Sequence, residues 1–224
     1  MSEIKAVIFD LDGTLIDTEK YYRIFWPKAV AEFGFTMTDE QALEIRSLGR
    51  PFAPEWFKEH IDESVDYWKI RERRKEMMDA FFREHPIELK PYAKEILSWL
   101  KEKNILVAMA TANGEEKTVK YLTELGIYEF FDRVICADMV VYGKPYPDIY
   151  RYACEKLELK PEECVAVEDS PNGARSAHDA GCRVVFVPDQ TDVDESIQSL
   201  IYDRIEDLWD LRRVMEASDR ESKA

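Results

Sequence analysis

Hydrophobic positions along this chain follow two rhythms. Short apolar runs rich in β-branched residues stand at Ala6–Phe9, Ile105–Ala110, Val134–Cys136, Cys164–Val167 and Val184–Val187. Each has the length of a strand buried on both faces. Between most of them, apolar residues recur every three or four positions, which predicts helices over Tyr92–Lys103, Glu116–Leu125, Asp148–Leu157 and Asn172–Ala180. Ser170-Pro171 reads as an N-cap and first helical residue, and Gly126 and Gly181 stand where helices should stop. Strands separated by crossover-length helices describe an α/β protein with a mainly parallel sheet.

One interval breaks this alternation. From residue 18 to residue 88 the pattern is helical throughout, over Glu19–Phe33, Asp39–Leu48, Glu55–Glu59 and Val65–Glu84. It holds 13 of the 27 aromatic residues, as a small bundle needs bulky side chains for its core. We read it as a helical domain, 18–88, inserted into a core made of 1–17 and 89–224. The interval carries a net charge of only −3 out of −15, which would suit a lid over an anionic ligand. Its cluster Arg71, Arg73, Arg74 and Lys75 reads as an exposed helix face, and the tail Ala217–Ala224 as frayed.

Composition narrows the classes. The chain has 224 residues, enough for one to two domains with a full core. A net charge of −15 repels a phosphate backbone, so no nucleic-acid partner is expected. No apolar stretch approaches the ~20 residues that span a bilayer, and the N-terminus lacks the pattern of a signal peptide. The four cysteines have neither zinc nor C-x-x-C spacing, as fits a reducing cytoplasm, and nothing demands more than a monomer.

The chemistry gathers at strand ends. The run Ile8-Phe9-Asp10-Leu11-Asp12-Gly13-Thr14 closes an apolar segment with two carboxylates at i and i+2, which share a side in extended chain. Two such carboxylates in a crevice need a cation or a shared proton. A calcium loop starting at Asp10 fails, because Leu15 and Tyr21 occupy the positions that require glycine and an acid. A second acidic pair, Glu168-Asp169, also ends a strand, so four acids can meet at one rim, an all-oxygen set that suits Mg²⁺. Thr111-Ala112-Asn113-Gly114 brings a hydroxyl and backbone N–H groups to that edge. Lys144, between Gly143 and Pro145, can neutralise a phosphate and hold an acidic nucleophile.

Together these residues resemble the haloacid dehalogenase superfamily, through Asp10-Leu11-Asp12-Gly13-Thr14, Thr111, Lys144 and Glu168-Asp169. The run from Glu168 to Ala177 is similar to the β-phosphoglucomutase-like phosphatase branch, in which a helical cap follows the first motif. The resemblance implies a Rossmann-like parallel sheet of order 5-4-1-2-3 and Mg²⁺ at its crevice. It implies Asp10 as nucleophile, forming an aspartyl-phosphate, and Asp12 as the acid that then becomes the base. It implies Mg²⁺ on Asp10, the Asp12 carbonyl and Asp169, with Glu168 either binding directly or supporting a ligand. Thr111, Ala112 and Lys144 would hold the transferring phosphoryl group, beside Gly13 and Asn113.

Two departures carry information. Mutase members have a histidine ten residues after the second aspartate, where this chain has Tyr22, so a phosphatase is favoured over a phosphoglucomutase-type phosphotransferase, while the intact set Asp10, Asp12, Thr111, Lys144 and Asp169 speaks against a non-catalytic binding protein. The usual Pro-Gly turn into the second half reads Pro91-Tyr92. Arg50, after Leu48-Gly49, is placed either on an anionic group of the substrate or in solvent. Dehalogenase members lack the second aspartate, the glycines form no nucleotide-binding spacing, and no G-x-S-x-G is present. The expected partner is a small phosphorylated metabolite, with specificity set near Tyr22, Arg50, Trp56 and Asn113.

Overall fold

The computed structural model describes residues 2–222. Six strands form one parallel sheet: β1 (Ala6–Phe9), β2 (Leu106–Thr111), β3 (Arg133–Cys136), β4 (Cys164–Glu168), β5 (Arg183–Phe186) and β6 (Asp203–Arg204), in the order β3-β2-β1-β4-β5-β6. The five strands read from sequence are all present in the predicted order. The sixth corrects that reading: β6 adds an edge strand of two polar residues, which gives no apolar run to detect.

Side-chain alternation divides the sheet into an unequal pair of faces. Val7, Phe9, Val107, Met109, Val165 and Val167 point to one, where α5 (Ala93–Glu102), α6 (Glu115–Glu124) and α9 (Leu211–Ser222) cover them. Ala6, Ile8, Ala108, Ala110, Cys164 and Ala166 point to the other, and these smaller side chains admit α7 (Asp148–Leu157) and α8 (Pro171–Ala180). Helix α8 starts where expected, with Ser170 accepting from the Gly173 N–H, and Gly181 closes it in the left-handed region.

The tail reading is corrected in part. Helix α9 runs through residues 217–222, anchored by Leu211, Val214, Met215 and Ser218, all buried at helical spacing. Lys223 and Ala224 lie outside the described residues. Tyr92 takes the left-handed conformation, φ 63°, that the usual glycine would supply, with its ring exposed and stacked toward Trp209.

Between β1 and Leu89 the chain forms α1 (Glu19–Glu32), α2 (Asp39–Glu44), α3 (Phe52–His60) and α4 (Tyr67–Glu84). They share a separate apolar cluster that includes Trp26, Val30, Trp56, Phe57 and Ile70. Helix α2 stops four residues short of the predicted Leu48, because Ser47 turns left-handed at φ 55°, and α3 starts earlier than expected, at Phe52. The chain leaves and re-enters side by side: Ile16 bridges both Asp12 and Leu89. No helix among the described residues is long and apolar enough to cross a membrane. The four cysteines are free and buried.

Candidate active site

The ends of β1, β2 and β4 and the loop before α7 bring the sequence-selected residues to one rim. Asp10 follows β1, its N–H bonded to the Val167 carbonyl of β4 at 3.0 Å, so the two acidic strand ends are laced together. Lys144 Nζ donates to Asp10 Oδ1 and to Glu168 Oε1, both at 2.5 Å, with all three side chains buried. Tyr150 of α7 donates to the same Glu168 oxygen at 2.7 Å, and Ser170 to the other at 3.3 Å. Burial alone would strip the Lys144 proton, but the charges of Asp10 and Glu168 outweigh it and hold its pKa above the ordinary lysine value.

Asp12 is held from two sides. Thr18 Oγ1 donates to its Oδ1 at 2.6 Å, and Asn113 Nδ2 donates to its Oδ2. Asn113 also meets Lys117 Nζ at 3.1 Å and the Tyr22 hydroxyl at 3.3 Å through its Oδ1, so Tyr22 of α1 reaches the acid/base candidate through one amide. Burial brings Lys117 down to about 8. The Thr111 hydroxyl is fully buried and accepts from the Asn113 N–H at 3.1 Å, which shapes the turn that presents Ala112. Gly13 sits at φ 83°, where a Cβ would fall 2.4 Å from Asp169 Oδ2; glycine is required both for the turn and for the close approach.

Asp10, Glu168 and Asp169 place ligand atoms within 4.8 Å of one another, all buried. Asp10 Oδ2 is buried without a hydrogen-bond partner. Burial pushes Asp10 well above the usual carboxylate range; Lys144 pulls it down while Glu168, Asp169 and Asp12 push it further up. Burial likewise raises Asp169 to about 7, with Arg46 opposing. Hard oxygen donors, an excess of negative charge and an orphaned carboxylate oxygen together fit a divalent cation such as Mg²⁺. The Asp12 side chain stands outside this cluster, engaged with Thr18 and Asn113.

Besides Thr18, Lys117 and Tyr150, further residues at the rim and the cavity were not read from the sequence as site residues. Glu19, the first residue of α1, is buried with an unpartnered Oε2, and burial beside Asp169 and Asp12 pushes it well above the carboxylate range. Arg46 crosses from the helical segment to Asp169 Oδ2 at 3.4 Å, with the two side chains 2% and 0% exposed, and also donates to Thr191. Arg74 corrects the reading of an exposed cationic face: it is 6% exposed, whereas its neighbour Arg73 is on the surface, paired with Glu32 and Glu76. Arg50 is exposed overall but lines the same cavity, donating to the Ala137 carbonyl at 3.4 Å. Trp56 stacks on His60 and packs within the helical cluster, and it does not line the cavity.

The cavity, about 290 Å³, lies between the acid rim and the helices and is lined by Asp10, Asp12 and Asn113 together with Arg50, Arg71 and Arg74. Residues 4–181 match the family model of haloacid dehalogenase-like hydrolases. The chain belongs to this family. Among relatives of this hydrolase, a phosphorylated carbohydrates phosphatase of Thermotoga maritima is 30% identical over 189 residues, covering 82% of this chain and 84% of its own. Hexitol phosphatase B of Escherichia coli is 30% identical over 197 residues, covering 83% and 84%. The crystal structure of CbbY from Rhodobacter sphaeroides in complex with phosphate superposes with a TM-score of 0.76 at 29% identity, covering 91% of this chain and 94% of that one.

Proposed function

We propose that this hydrolase is a Mg²⁺-dependent phosphatase of the cytoplasm, hydrolysing a small phosphorylated metabolite of the sugar-phosphate kind through a phosphoryl group carried on Asp10. One observation carries the reading: Asp10 has one oxygen fixed by Lys144 while the other is buried and unpartnered beside Glu168 and Asp169. The phosphatase names of relatives that match over four-fifths of the chain support it.

Asp10, Glu168 and Asp169 would hold the cation, with the Asp12 carbonyl. When bound, Mg²⁺ supplies a Lewis acid that draws charge from the phosphoryl oxygens and offsets the acid excess of the rim. The Asp10 carboxylate attacks phosphorus, and the bond to the ester oxygen breaks. Lys144 keeps the carboxylate aimed and, with Thr111 and the Ala112 N–H, neutralises the transferring group. Asp12 gives a proton to the leaving oxygen, then takes one from the water that releases phosphate from Asp10. Thr18 and Asn113 fix Asp12 for both steps.

The segment 18–88 acts as the cap domain over a core of 1–17 and 89–224, a reading supported by the paired exit and return at Ile16 and Leu89. Tyr22, at the position of the mutase histidine, spends its hydroxyl on Lys117 and Asn113, which favours hydrolysis over phosphotransfer.

The test is phosphate release from a panel of sugar and other small phosphate esters, with Mg²⁺ and with EDTA. Release that EDTA abolishes is expected. Silence across the panel, with turnover restored by an activating bisphosphate, would assign a phosphotransferase instead.

A further inference from the structure

The cavity is electrically two-ended. Asp10, Asp12 and Glu19 line the acid end, where Arg46 is already paired with Asp169; Arg71 and Arg74 of α4 line the cavity from the helical segment, with Arg50 and Asp138 completing the charged lining. Arg74 is the anomaly. Its guanidinium lies 4.6 Å from the Tyr22 ring centroid and 4.5 Å from that of Trp26, is 6% exposed, and makes no hydrogen bond or ion pair among the described residues. Its Nε is buried without a partner.

A guanidinium cannot relieve burial by losing its proton. Two aromatic faces offset part of the lost hydration and hold the side chain in place, but they give its N–H donors no acceptor. Helix α4 is not short of carboxylates: it spends Glu76 on outward-facing Arg73, which also takes Glu32 from α1. Arg71, one turn before Arg74 and stacked on Trp68, lines the same cavity. Arg74 lines the cavity and its terminal nitrogens meet no protein acceptor among the described residues, so their partner comes from the cavity, and it is an anion with planar or tetrahedral oxygens.

We infer that the substrate carries a second anionic group, a phosphate or a carboxylate, in addition to the phosphoryl group presented to Asp10, and that Arg74 binds it with Arg71 and Arg50 alongside. Which end reacts rests on the phosphatase reading; the anion subsite does not.

The test compares two matched pairs: glucose 1,6-bisphosphate against glucose 1-phosphate, and 3-phosphoglycerate against glycerol 3-phosphate. In at least one pair the doubly anionic ester should be favoured at least tenfold in kcat/KM, chiefly through KM. The pair that shows it tells phosphate from carboxylate. Arg74→Met should shrink that preference at least tenfold, and Arg74→Lys should restore part of it. If Arg74→Met does not fold, Arg71→Gln should still shrink it severalfold. Calorimetric titration of Asp10→Asn with the same four compounds reads the subsite without turnover. Equal efficiencies and equal affinities within both pairs, or a preference untouched by substitution of either arginine, would overturn the inference; metal-dependent release from p-nitrophenyl phosphate would then leave the phosphatase reading standing. Selective binding of a doubly anionic ester with no turnover of any ester would keep the subsite and overturn the phosphatase reading.

Discussion

Gly49 and Gly143 meet backbone to backbone. The Gly49 N–H donates to the Lys144 carbonyl at 2.8 Å, and the Gly143 N–H donates to the Arg50 carbonyl at 2.7 Å. A Cβ on Gly49 would fall 2.6 Å from Gly143 Cα, and one on Gly143 would fall 2.8 Å from Gly49 Cα. The loop that carries Lys144 is thus clasped by the loop that carries Arg50.

Gly143→Ala must push the two loops apart, since the obstruction is backbone and not a side chain that can rotate away. Overpacking of this kind costs roughly 1–3 kcal/mol. We expect a lower thermal midpoint and at least a tenfold lower kcat/KM, because the displaced segment sets the Lys144 position. Kinetics and melting curves indistinguishable from the parent would show that the clasp is dispensable.

Asp10→Asn removes the carboxylate while keeping an oxygen for Lys144. Turnover should fall by at least about 10³-fold, on the order of 4 kcal/mol of barrier, with far-UV circular dichroism unchanged. Near-normal rates would remove Asp10 from the nucleophile's role.

Asp12→Asn tests proton delivery through the leaving group. Alkyl phosphates, whose alkoxide leaves poorly, should slow much more than p-nitrophenyl phosphate, which leaves without a proton. An equal loss on both classes of ester would assign Asp12 to binding and not to acid catalysis.

Metal and proton compete at Asp169. Its carboxyl is raised to about 7 in the folded protein by burial, against 3.8 for an ordinary aspartate. Between those values the folded state holds a proton that the unfolded state has lost, so the metal-free protein loses stability as pH climbs from about 4 to 7. Cation binding requires the ionised form. The rise in thermal midpoint on adding Mg²⁺ to EDTA-treated protein should be small at pH 5, grow through pH 7 and level off by pH 8. A rise independent of pH would contradict the arrangement.

The sheet and its chemical rim were legible because both depend on local pattern: buried runs such as Ala6–Phe9 and Cys164–Val167, each followed at once by its acids. Edge strand β6 was not, since Asp203-Arg204 pairs through backbone alone. Arg74 was hidden by its neighbours. Arg71, Arg73, Arg74 and Lys75 look alike as a cluster, yet Tyr67, Ile70, Arg74 and Met78 are the buried positions of α4, at spacings of three and four. A cation on an apolar stripe was the available signal. Glu19 and Arg46 gave none, because their burial is created by approach of the helical segment to the rim, a relation between distant parts of the chain.

The bridge from Ile16 to Leu89 has a consequence for how such a molecule can change. An excursion whose two ends are already neighbours can be lengthened at a closure entropy that grows only logarithmically. The strands that set Asp10 beside Glu168 pair with one another and not with the excursion. The sheet that carries the reacting centre therefore owes none of its ladder to the excursion, which reaches that centre through Thr18 on Asp12, Arg46 on Asp169 and Gly49 on the Lys144 carbonyl, so an exchanged segment must keep those three contacts.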